Sequence, residues 1–167
     1  MDIDLTSIII GIAALSTFFV PVGLYQFSLK KKFKNAKKAF ESVAQKYQLQ
    51  IDQFEILRNG NVIGIDSEKK IVLHLKNGVD TLTELKHVVG CKYYNQQRKV
   101  TSDDGNPDVI HELGIQLTFQ PRLNYNVKLL FFEGKEGSTH GDERIIINKW
   151  IGYIQTLLKK TADEVIQ

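Results

Sequence analysis

From Leu5 to Leu29 the chain runs for 25 residues without an Asp, Glu, Lys, Arg or His. No other feature limits its fold as much. At about 1.5 Å of rise per residue the run makes roughly 37 Å of helix, enough to cross a bilayer hydrocarbon core of about 30 Å. The stretch Ile8-Ile9-Ile10-Gly11-Ile12-Ala13-Ala14-Leu15 is apolar on every side, as lipid contact requires. Pro21 and Gly23 near the end of the run are tolerated in spanning helices, and Tyr25 suits the membrane interface. A cleaved secretory signal would carry positive charge before the apolar stretch, whereas the leader here is the acidic Met1-Asp2-Ile3-Asp4 and the lysines follow. A buried core helix would be unusual at this length without a charge. The run therefore predicts a transmembrane helix over 5–29. The positive-inside rule then sets the N-terminus outside and the rest of the chain in the cytoplasm, as in a single-pass protein of the cell (inner) membrane.

Charge is unevenly distributed around that run. Residues 1–38 hold Lys30, Lys31, Lys32, Lys34, Lys37 and Lys38 against Asp2 and Asp4. The remaining 129 residues carry 16 Lys and Arg against 17 Asp and Glu. So neutral a body gives no compositional case for nucleic-acid binding. The six collar lysines are the expected contact with the lipid surface, each gaining about 1 kcal/mol beside an anionic leaflet at most, and fixing the topology is the simpler role for them than recognition of a particular headgroup. The helical pattern continues through them, with Phe33, Ala36, Phe40, Val43, Ala44 and Tyr47 recurring at intervals of three and four. A basic juxtamembrane helix over 30–48 is expected to dock this stripe on the following domain. A coiled-coil seam would use the same spacing, but two heptads are too few to argue it.

After Gln50 the texture becomes short β-type runs with turn punctuation. Phe54–Leu57, Val62–Ile65 and Lys70–Leu75 read as strands, separated by the turn signals Asn59-Gly60 and Asp66–Lys69, and Asn77-Gly78 closes the third. Thr81–Leu85 is a short strand or a single turn, and His87–Gln97 a longer strand. Thr101–Asp108 is a polar loop. Strict alternation of Leu113, Ile115, Leu117 and Phe119 with polar residues and Gly114 marks Val109–Phe119 as a half-buried antiparallel strand. Asn126–Phe132 is the last strand, before a glycine-rich loop at Glu133–Gly141. An amphipathic helix follows over 142–160, with Ile147, Trp150, Ile151, Ile154, Leu157 and Leu158 on one stripe and acids in its first turn. The expected fold class is mainly β with α: the N-terminal transmembrane helix, then a small antiparallel β-sandwich or barrel of about seven strands over 50–160, closed by the C-terminal helix.

This arrangement resembles the pleckstrin-homology-like (PH-like) superfold, in which a closing helix plugs one corner of a bent sandwich and often carries a buried Trp, the place of Trp150. Gly64–Leu73 and Leu85-Lys86-His87-Val88 are also similar to stretches of small membrane-anchored bacterial PH-like domains. The resemblance covers about residues 50–160 and is one of pattern. It implies a binding scaffold. The loop that carries basic residues in many phosphoinositide-binding PH domains is here Arg58-Asn59-Gly60-Asn61, with a single charge, so that activity is not carried over.

No chemistry stands out. His74, His87, His111 and His140 have no metal-ligand spacing, and no metal or other cofactor is expected. Cys91 is the only cysteine, between Val89 and Tyr93 in a strand, which suits a small buried residue better than a nucleophile. Ser138-Thr139-His140-Gly141-Asp142 places hydroxyl, imidazole and carboxylate side by side in sequence, but a triad needs convergence in space. Neither a phosphate-binding loop nor a dinucleotide fingerprint is present. Tyr93, Tyr94 and Tyr125 would line a groove or pack a core. The chain reads as a non-enzymatic binding or assembly module whose cytosolic domain meets a protein partner, or a further copy of itself, in a membrane complex. Neither nucleic acid nor a small-molecule substrate is expected. The alternative is a sensor of anionic lipid headgroups.

Overall fold

The structure is a computed structural model that describes residues 5–101, 107–122, 125–135 and 142–165. A single helix, α1 (Leu5–Lys46), is followed by β1 (Gln53–Ile56), β2 (Val62–Asp66), β3 (Ile71–Lys76) and β4 (Val79–Glu84). A short 3-10 turn (Leu85–His87) leads to β5 (Val88–Thr101), β6 (Pro107–Phe119), β7 (Asn126–Lys135) and the closing helix α2 (Asp142–Val165). The strands form two antiparallel sheets, β1-β2-β3-β4 and β5-β6-β7, rather than a closed barrel. Thr81–Leu85 resolves into both of its readings, the end of a strand and a single turn. The polar loop expected at Thr101–Asp108 and the loop expected at Glu133–Gly141 lie largely outside the described residues, as does Ser138–Gly141. Sheet pairing extends β5 to Thr101, β6 back to Pro107 and β7 to Lys135.

The expected membrane span also falls largely outside what is described, because the side chains of 5–23 are not. Among the described residues no helix is long and apolar enough to cross a membrane. The backbone of α1 is nonetheless one helix from Leu5 through the lysines to Lys46.

The four-stranded sheet is covered on both faces, which explains the unbroken apolar run at Val62–Ile65. On its outer face Val62, Leu73 and Leu75 pack against Phe40 and Ala44 of α1, with Ala36 and Val43 partly buried beside them. On its inner face Ile63, Ile65 and Val72 join Leu113, Ile115, Leu117, Leu129 and Phe131 of the other sheet, and Ile147, Trp150 and Ile154 of α2. A strand buried on both faces has no polar side to alternate with. Gly64 makes the outer contact possible. A Cβ there would sit 2.4 Å from Phe40 Cζ and 3.0 Å from Ile51 Cγ2, so the ring of Phe40 lies directly on the strand backbone.

The turns follow local chemistry. Asn77 (φ 50°) and Gly78 (φ 80°) make the two-residue turn between β3 and β4, with left-handed conformation at both positions as a type I′ hairpin needs. Asp66 is buried and accepts the backbone N–H of Gln50 and of Lys69, each at 2.8 Å. It thereby ties the end of the α1–β1 connection to the β2–β3 turn. In the second sheet the register shifts at Leu113/Gly114. The backbone there is so close that a Cβ on Gly114 would sit 2.1 Å from the Leu129 carbonyl oxygen.

Candidate functional site

The collar lysines occupy the part of α1 that leads into the docked stripe. All six are exposed, and they do not converge on one point. Lys37 approaches Glu41 at 3.7 Å and stands 5.6 Å from the ring centroid of Phe54. The stem of Lys32 lies against the β1–β2 turn, its Cε 2.9 Å from where a Cβ of Gly60 would be. The domain therefore begins to touch α1 three residues after the uncharged run ends. Farther along, the Tyr47 hydroxyl donates to Asp80 of β4 at 2.7 Å, a bond that holds the Asp80 carboxyl below its usual range. Helix α1 thus crosses the sheet from the β1–β2 turn to the far edge strand.

Beside this helix lies an apolar groove of about 520 Å³, walled by Phe40, Ala44, Leu49, Ile51 and Phe54 together with four polar side chains. Phe54 is partly exposed and stacks on Phe40 at 6.1 Å.

A different surface lies where β3 and β4 face β7. His74 and Lys76 point from the inner face of β3 and are opposed on β4 by Thr81 and Val79. With Asn77, Lys128 and Leu130 they line a cleft of about 320 Å³. Among the described residues no carboxylate lines it. His74 is buried at the floor and its Nε2 is 3.1 Å from the Leu130 carbonyl oxygen. Because that oxygen only accepts, the ring nitrogen donates. Burial lowers the imidazole pKa to about 4, the bond to Leu130 and nearby Lys76 being smaller influences.

A polar network flanks the cleft. Lys76 pairs with Glu133 at 2.5 Å, Arg98 with both Glu133 and Glu112 at 3.2 Å, and Tyr94 donates to Glu112 at 2.9 Å. Lys76, with Arg98, holds the Glu133 carboxyl below its usual range. Lys128 donates to the Tyr94 hydroxyl at 3.0 Å and lies 4.5 Å from its ring centroid. Two cations, Lys76 and Arg98, thus share the two carboxylates, and Lys128 beside them is paired with no carboxylate among the described residues. The sequence marks Tyr94 as packing or groove and His74 as a strand histidine without metal-ligand spacing, and neither as part of a shared cleft. Alternation along β3 was the available signal for pairing His74 with Lys76. Nothing local indicates that Lys128, over fifty residues later, shares their cleft.

Among the described residues no group of three or more His, Cys, Asp or Glu could hold a metal ion. Cys91 is buried, and desolvation pushes its thiol up to about 12. Tyr93 is partly buried among core residues, and Tyr125 stacks on Phe119 at 4.4 Å.

No protein-family model, no curated protein and no solved structure matches this chain.

Proposed function

We propose that the chain is a single-pass membrane-anchored, non-enzymatic module that presents a cytosolic PH-like domain to a protein partner in a membrane complex. The observation that carries this reading is the unbroken helix α1, which runs from the uncharged segment through six lysines and onto the domain. Leu24, Tyr25 and Phe27 remain 65%, 66% and 71% exposed on it. Large apolar side chains in such a cluster call for a nonpolar surround, and residues 5–29 are long enough to place them in a bilayer. The lysines then meet the cytoplasmic leaflet. Two antiparallel sheets closed by a C-terminal helix with a buried Trp150 are the layout a PH-like domain would have.

The test is purification of the full chain from native membranes in mild detergent. A stoichiometric membrane protein that co-purifies supports the reading. Full release from the membrane by alkaline carbonate would remove the anchor. If the chain stays in the membrane and no protein co-purifies, binding to vesicles with and without anionic lipid becomes the measurement, and a strict, salt-sensitive requirement for anionic lipid would favour the headgroup-sensing role instead.

A further inference from the structure

We propose that the open edge of β4, with the cationic cleft beneath it, receives an extended acidic segment of the partner protein as an added strand. The inference rests on the binding-module reading above and names the surface and the chemistry of what it binds. β4 is the last strand of its sheet. Because Asn77 and Gly78 close a two-residue turn, Lys76 and Val79 form the hydrogen-bonded pair, and alternation sends the backbone groups of Thr81 and Thr83 to β3 as well. Those of Asp80 and Leu82 face the open edge. Among the described residues no other strand pairs there, and exposed edges of this kind accept strands from other proteins.

Charge selects what is added. On the inner side of the edge, alternate side chains of an incoming strand would pass over Thr81 toward Lys128, in a cleft lined by no carboxylate among the described residues and whose other lysine, Lys76, is already paired with Glu133. Among the described residues Lys128 meets the Tyr94 hydroxyl and ring and no carboxylate, and it would gain a carboxylate without giving one up. The two acids of β4 do not oppose this, since Asp80 is bonded to Tyr47 on the helix side and Glu84 is paired with Lys86. Val79, 67% exposed beside the cleft, offers an apolar contact to a flanking residue. An Asp or Glu at one inward position, with β-branched neighbours, is the expected pattern.

The test uses the full chain in detergent and a fluorescein-labelled peptide, acetyl-Thr-Val-Glu-Val-Thr-Val, followed by fluorescence anisotropy. The expected result is binding about tenfold tighter than that of the peptide with Lys in place of Glu. Lys128→Glu should abolish or invert that preference, while Lys159→Glu, at an exposed position on α2, should leave it. N-methylation of alternate peptide amides should remove binding, as backbone pairing requires. Failure of the acidic peptide to bind, equal binding of the two peptides, or indifference to N-methylation would overturn the proposal. A natural partner that still co-purifies with Lys128→Glu would leave the binding-module reading standing and remove this surface from it.

Discussion

Gly64 shows how much one missing side chain can settle. With Phe40 Cζ 2.4 Å from any added Cβ, Gly64→Ala must displace the ring or the helix behind it. We expect a loss of about 1–3 kcal/mol, typical of overpacking, read as a lower urea midpoint. Restoration of the midpoint by the double substitution with Phe40→Leu would show that the clash is with the ring. His74 acts through charge. Its pKa lies near 4 when folded and near the ordinary 6.5 when unfolded, so between these values the unfolded chain holds the proton and the folded one does not. Stability from this group is complete above about pH 6.5, falls as the pH drops toward 4 and is level below it. The whole loss is on the order of 3 kcal/mol. Urea unfolding across pH 4–7 should show that slope in the native protein and lose it in His74→Gln. Glu133 and Asp80, whose pKa values are lowered, lose their stabilising charge mainly at lower pH.

Among the elements, α1 is held to the sheet by few side chains, and Phe40 is the largest of those that are fully buried. Phe40→Ala should cost about 3 kcal/mol or more by the usual range for a buried aromatic. Hydrogen exchange should rise first at the amides of residues 36–49 and over β1, leaving α2 and the second sheet protected. Uniform loss of protection would mean that the helix and both sheets unfold as one unit. The stripe on α1 and the stripe on α2 were legible in the sequence because helical period is a local property, and Asn77-Gly78 fixed its hairpin for the same reason. The coverage of both faces of the first sheet was legible only in part: the run Val62–Ile65 is apolar throughout, yet nothing in it names Phe40 as its cover. The cleft was not legible, because it depends on β7 lying against β3 at His74–Leu130. β5 and β6 run farther than the sequence pattern marks, to Thr101 and from Pro107, because the two strands pair with each other out to those residues.

For the whole molecule, the consequence of an unbroken helix is angular. If α1 joins the proposed anchor to the domain without a hinge, its phase fixes which side of the domain faces the proposed membrane partner. Each inserted residue turns the helix by about 100° and lengthens it by about 1.5 Å. Two alanines placed between Leu29 and Lys30 would rotate the domain by roughly 200° and raise it by about 3 Å. Four would rotate it by roughly 400°, leaving it within about 40° of its starting direction and about 6 Å farther out. Neither insertion touches Phe40, Ala44 or the Lys32–Gly60 contact, so both proteins should keep the urea midpoint of the parent. Co-purification of the partner should fail with two residues and largely survive with four, although four moves the domain farther. A steady decline with insertion length would instead mean that distance alone matters. Equal co-purification with both would mean that the helix bends at the lysines and that the domain searches for its partner freely.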